Sequence, residues 1–91
     1  MQDTDKESVR KRLARIAGQV NGVARMVEED RYCIDILHQT AAIRAALTKV
    51  ENAVLDNHAR HCIADAVRSG DPEDQRRKFD ELLDLMGRVR R

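Results

Sequence analysis

Three side chains in this 91-residue sequence combine soft donor atoms with a suggestive spacing: Cys33, His58 and Cys62. His58 and Cys62 are four positions apart, which on a helix sets both on one face where they can grip one ion. Alone, the pair carries little, because a packed cysteine beside a solvated histidine has the same spacing. Cys33 changes the balance. It lies 29 positions before Cys62, about 43 Å along an unbroken helix, and so cannot join the pair on its own chain. It can join the pair on a second copy.

Antiparallel pairing of two such helices about a dyad near Ala46 and Leu47 sets residue 33 of one chain opposite residue 60 of the other, midway between His58 and Cys62. A two-fold dimer then builds two identical sites, each with a thiolate from one protomer and an imidazole plus a thiolate from its partner. Two thiolates and one imidazole without a fourth donor suit Cu(I), whereas structural zinc prefers four ligands and magnesium or calcium requires oxygen. His61 reads as a seam or surface histidine before it reads as a fourth donor, and His38 as a solvent-facing or junction residue. Neither a carboxylate pair nor a Ser/His/Asp set points to an enzyme.

The elements that must position these residues are helices. The chain is 42% hydrophobic but only 2% aromatic, so its apolar material is Ala, Val, Leu and Ile, and no strong breaker stands between Val23 and Ser69. Thr4 and Glu7 have the order of a capping box, followed by Val9, Leu13, Ile16, Val20, Val23 and Val27 at alternating spacings of four and three. Gly18 and Gly22 within that seam suggest a close helix approach. Asp30 offers an N-cap to a second helix whose seam is Cys33, Ile36, Thr40, Ile43, Leu47, Val50, Val54, Asn57 and His61, with Ser69-Gly70 as its stop. From Arg31 to Ser69 that helix runs about 58 Å, more than a small monomer can cover. Asp71-Pro72 then reads as N-cap and first helical position of a short third helix with Phe79, Leu82, Leu83 and Met86 inward. The expectation is one all-α domain over residues 1–91: a three-helix protomer with a very long central helix, paired as an antiparallel dimer.

Charge narrows the partners. Seventeen Lys and Arg against sixteen Asp and Glu leave a formal net charge of +1, which excludes a uniformly basic coat; electrostatic binding must come from charges sorted onto faces. Arg12, Arg15 and Gln19 share one face of the first helix, with Arg10 and Lys11 beside them. A solvated charged face has the same pattern. No run approaches the roughly 18 apolar residues of a membrane span, MQDTDKES is no hydrophobic signal segment, and two thiols without a disulfide framework fit a cytosolic, reduced protein.

The run RLARIAGQVNGVARMVEEDRYCIDIL and the later H-A-R-H-C segment resemble the copper-sensitive operon repressors of the CsoR/RcnR family, over a span from about Val9 to Leu85. The resemblance implies a tetramer of paired dimers that binds operator double-stranded DNA when metal-free and releases it when the effector binds. The family's Cys, His, Cys fingerprint falls on Cys33, His58 and Cys62. Nickel/cobalt members add an amino-terminal His and have His in place of the last Cys, formaldehyde sensors lack that Cys, and persulfide sensors lack the intervening His, so the Cu(I) branch fits best. The alternatives within the family are members sensing another effector: a nickel sensor with a similar triad and an extra amino-terminal His, or a persulfide sensor.

Other roles follow from the resemblance alone. Tyr32 occupies the position of a tyrosine that hydrogen-bonds near the ligand histidine, and a third-helix carboxylate completes that network, with Glu81 and Glu73 both candidates. The DNA-contact positions fall on Arg12 and Lys49; Lys49 replaces an Arg, keeping phosphate attraction while losing the bidentate fork. No helix-turn-helix signal is present, so readout is expected to rest on phosphate contacts and DNA shape. The rival readings are a Cu(I)-buffering or chaperone protein that uses the same triad without DNA, and a structural helical oligomer with incidental thiols.

Overall fold

The computed structural model describes residues 3–89 as three helices, α1 (Asp3–Glu28), α2 (Cys33–Ser69) and α3 (Pro72–Val89), with no strand among the described residues. The all-α, three-helix expectation holds, and α2 is a single element of 37 residues.

The helix ends follow local chemistry, with two departures from the sequence reading. The capping box is not formed. Thr4 already lies inside α1, and the Glu7 carboxylate is taken by Arg10, whose guanidinium donates to it at 2.6 and 3.0 Å. A charge-assisted, two-pronged pair outweighs a single bond to a backbone amide. Asp30 does not cap α2 either. It adopts φ 55°, and the amides of Asp30 and Arg31 donate to the carbonyls of Val27 and Met26 at 3.2 and 2.9 Å. This is a Schellman closure of α1, with an aspartate in the left-handed position that glycine usually fills. The first bond of α2 runs from the Ile36 amide to the Tyr32 carbonyl at 3.2 Å, which makes Tyr32 its N-cap residue.

The second corner matches its reading. Gly70 ends α2 at φ 64°, the Asp71 side chain accepts from the Glu73 amide at 3.1 Å, and Pro72 opens α3. Only glycine takes that backbone conformation without steric cost, and proline loses nothing at a position whose amide is unpaired anyway.

Tertiary contacts group the chain into two compact units, one up to Val50 and one from Glu51, with α2 contributing to both. In the first, α1 turns Ile16 inward and α2 contributes Ile36, Thr40, Ile43, Ala46 and Val50, spaced by four, three, three and four. Leu13, Val20 and Val27 of the α1 seam remain exposed. Gly18 and Gly22 make no close approach within the protomer, since an added Cβ would meet nothing within 4 Å.

In the second unit the inward residues of α2 are Leu55, Ala59, Cys62 and Ala66, while Val54 and His61 are exposed. On α3, Leu82 is buried and Met86 half-buried, but Phe79 and Leu83 are exposed. The sequence seam therefore picked neighbouring residues here. Ile34, Leu37, Leu47, Val54, Ile63 and Val67 are all exposed, so α2 carries apolar side chains around its circumference and periodicity alone offers several seams.

Candidate metal and nucleic-acid sites

In the unit up to Val50, the positions singled out for DNA come together. Arg12, Arg15 and Gln19 on α1 and Lys49 on α2 line one groove of about 310 Å³, completed by Ile16 and by Ala42, Ala45 and Ala46. The local cause is simple. Residues 12, 15 and 19 recur at helical spacing beside buried Ile16, and three small alanines on the facing helix leave room between them. Arg12, Arg15 and Lys49 are exposed, whereas the Gln19 side-chain oxygen is buried without a hydrogen-bond partner among the described residues. Arg10, Arg31, Arg60, Arg68, Arg77 and Arg88 are instead ion-paired to carboxylates close by in the chain. The groove thus gathers three exposed cations, the local concentration that a net charge of +1 requires of any anion-binding face.

Cys33 lies in the same unit as the first residue of α2, exposed, and the Tyr32 side chain before it is 68% exposed. In the unit from Glu51, His58 and Cys62 stand one turn apart on α2. His58 is exposed. Cys62 is half-buried, and its thiol donates to the Lys78 carbonyl of α3 at 3.4 Å. Among the described residues no three His, Cys, Asp or Glu side chains gather closely enough to hold a metal ion.

Both carboxylate candidates are exposed on α3, where Glu73 and Glu81 line a shallow depression with Arg76, Arg77, Asp80 and Asp84. Glu73 also sits in the first turn, where an acid is favoured by the helix dipole. The sequence reading missed Asp74. Its carboxylate takes Lys78 at 3.0 Å and Arg77 at 2.6 Å, and these partners hold it, Lys78 and Ser69 foremost, below the usual aspartate range. The spacings to residues 77 and 78 were legible as helical ion pairs; the role of Lys78 as partner to Cys62 was not.

A helical chain with soft donors on its longest element and a cationic groove has the parts of a ligand-responsive DNA regulator. The model of the metal-sensitive transcriptional repressor family matches residues 5–88, and the chain belongs to that family, which comprises repressors and not enzymes. It is 49% identical over 81 residues to the copper-sensing transcriptional repressor CsoR of Bacillus subtilis (strain 168), covering 89% of this chain and 77% of that protein. It is 51% identical over 67 residues to the copper-sensing transcriptional repressor RicR of Mycobacterium tuberculosis, covering 74% and 70%. The copper-sensing repressor CsoR with Cu(I) from Geobacillus thermodenitrificans NG80-2 superposes with a TM-score of 0.82 at 45% identity, over all of this chain and 92% of that one. The nickel-responsive transcriptional regulator InrS gives a TM-score of 0.78 at 37% identity, covering 91% and 90%.

Proposed function

We propose that this chain is a Cu(I)-responsive transcriptional repressor that binds operator DNA when metal-free and releases it on binding Cu(I). The observation that carries the reading is the groove in which Arg12, Arg15, Gln19 and Lys49 meet, on a chain whose relatives are named copper-sensing repressors. Arg12, Arg15 and Lys49 supply phosphate contacts, and Gln19 adds a polar group among them.

The donor set fits a soft monovalent ion: two cysteines and a histidine, with His58 and Cys62 one turn apart on α2. In this reading Cys62 and His58 of one protomer are joined by Cys33 of another, so the protein acts as a homodimer assembled further into a tetramer. The exposed apolar residues of α2, Leu37, Leu47 and Val54 among them, support such assembly. Bound Cu(I) supplies a soft centre for thiolate sulfur and imidazole nitrogen. His58 has a second ring nitrogen, whose N–H would donate to the network of Tyr32 and either Glu81 or Glu73 and so pass occupancy of the site to the helices. Coupling between metal and operator is reciprocal, so DNA weakens the metal site by the same factor. Residues 1–91 act as one sensing and DNA-binding domain in the cytoplasm; no described helix is long and apolar enough to cross a membrane.

A mobility-shift titration with the DNA upstream of the chain's own gene, with and without Cu(I), tests this. Retarded DNA released by about one Cu(I) per protomer is expected. Absence of retardation in the metal-free state would overturn the repressor reading in favour of a copper buffer, and release by Ni(II) but not Cu(I) would move the effector to nickel, as the likeness to InrS allows.

A further inference from the structure

From Ser8 to Val27 the chain carries five Lys or Arg and no Asp or Glu, and from Ile36 to Val50 two more cations and again no acid. In a protein with sixteen Asp and Glu and a net charge of +1, this is a sorted positive region. Only part of it lines the groove. Arg12, Arg15 and Lys49 do, whereas Lys11 and Arg25 lie outside it, both exposed. Among the described residues Lys11, Arg15 and Arg25 form no ion pair.

Lys11, Arg15, Gly18, Gly22 and Arg25 recur along α1 at spacings of four, three, four and three, which sets them on one face of that helix. Its two central positions ask for a reason. A glycine inside a helix lowers the folding constant about five-fold relative to alanine, and nothing in the protomer calls for one here, since a Cβ at either position meets no atom within 4 Å. Two glycines between cations leave the main chain bare toward something outside the protomer. Charge says what that is: an anionic ridge lying against the helix, with Lys11 and Arg15 on one side of the glycines and Arg25 on the other. From Lys11 to Arg25 the helix rises about 21 Å, the axial rise of about six phosphates on one strand of a duplex. A second copy has a different face to cover. Leu13, Val20 and Val27, the exposed apolar residues of α1, each follow a member of the stripe by two positions and so lie about 200° around the helix from it.

We propose that operator DNA lies along this face of α1: the phosphodiester backbone of one strand packs on the bare main chain at Gly18 and Gly22, between Lys11 and Arg15 at one end and Arg25 at the other. The inference deepens the repressor reading and rests on it. It adds Lys11, Gly18, Gly22 and Arg25 to the groove residues, and it sets the direction of the bound strand along α1.

The test is an anisotropy titration of the metal-free, full-length protein with the DNA upstream of its own gene over a range of salt, with urea unfolding and light scattering of the same variants. Gly18→Ala combined with Gly22→Ala is expected to have two opposite effects. The folding constant should rise about five-fold for each glycine replaced, seen as a higher urea midpoint. Operator affinity should fall about ten-fold, the worth of one charge-assisted hydrogen bond. Arg25→Ala should weaken binding and flatten the plot of log affinity against log salt by about one unit. Unchanged operator affinity in the glycine variant, or an unchanged salt slope in Arg25→Ala, overturns the proposal while leaving the groove and the repressor reading in place. A lower urea midpoint or an altered mass of the glycine variant also overturns it, by assigning the glycines to contact between copies. A parent protein that binds no DNA removes the repressor reading itself, and this inference with it.

Discussion

The Cys62 thiol and the Lys78 carbonyl meet at 3.4 Å, joining the later part of α2 to α3. A backbone carbonyl has two lone pairs, so α3 can accept the thiol and keep its own helical bonding. His58, one turn before Cys62 on α2, is exposed. Of the two donors on that stretch of helix, one is already engaged with the fold and the other stands open to solvent, and their substitutions should therefore differ in character.

Cys33→Ala and Cys62→Ser should each lower Cu(I) affinity by more than the roughly 10–100-fold typical of losing a residue behind the ligands. His58→Ala should weaken binding less but abolish copper-induced DNA release, because the imidazole alone has a second nitrogen to pass the event onward. Competition with a Cu(I) chelator, alongside operator release measured by fluorescence anisotropy, checks both. Full release by His58→Ala would remove the proposed relay.

Under the proposed function, operator binding by the metal-free protein should fall steeply with salt, because the groove lined by Arg12, Arg15 and Lys49 would supply the phosphate contacts on a chain of net charge +1. Arg12→Ala and Lys49→Ala should weaken it and flatten the plot of log affinity against log salt by about one unit for each phosphate no longer neutralised. Arg15→Ala and Gln19→Ala should act in the same direction, more weakly. Copper stoichiometry should stay unchanged in all four, with Arg88→Ala on α3 as the control.

Stability at the α2–α3 corner should depend on two backbone devices. Asp71→Ala removes the side chain that accepts from the Glu73 amide and should cost about 1 kcal/mol. Gly70→Ala forces an alanine to φ 64° and should cost about 1–2 kcal/mol although the space around it is open. Urea unfolding read by circular dichroism measures both, and a neutral Gly70→Ala would show that the corner relaxes.

Acid should loosen the same corner. The Asp74 carboxyl lies below its ordinary value of 3.8 because of Lys78, then Ser69, with Arg77 adding to them. A carboxylate whose folded value is depressed stabilises fully above its unfolded value, and that contribution disappears as pH falls through the folded one. Asp74→Asn should accordingly destabilise the protein at neutral pH and converge on the parent stability well below about pH 4, seen as merging urea midpoints. A constant gap across that range would show that the charge of Asp74 plays no part.

Light scattering at micromolar concentration should give a mass about four times 10.4 kDa. A well-folded monomer would remove the shared Cys33 site along with the assembly.

Much of this was legible in residue types and spacing because it depends on chemistry local to the chain. Three helices follow from an Ala, Val, Leu and Ile palette without breakers, and the stop at Gly70 and start at Asp71-Pro72 follow from which residues tolerate a left-handed backbone or an unpaired amide. The shared face of Arg12, Arg15 and Gln19 is helical arithmetic, and the Cys, His, Cys set is read from donor softness. What the sequence left open was decided by competition between partners that lie apart in the chain. Lys49 joins the arginine face only because α2 returns past α1, and the choice of Leu55, Ala59, Cys62 and Ala66 over Val54 and His61 was made by the packing of α3. Glu7 abandoned its cap for Arg10, and Asp30 closed α1 instead of opening α2. The Lys78 carbonyl that meets Cys62 belongs to no motif, because every residue has a carbonyl and only the register of two packed helices selects one.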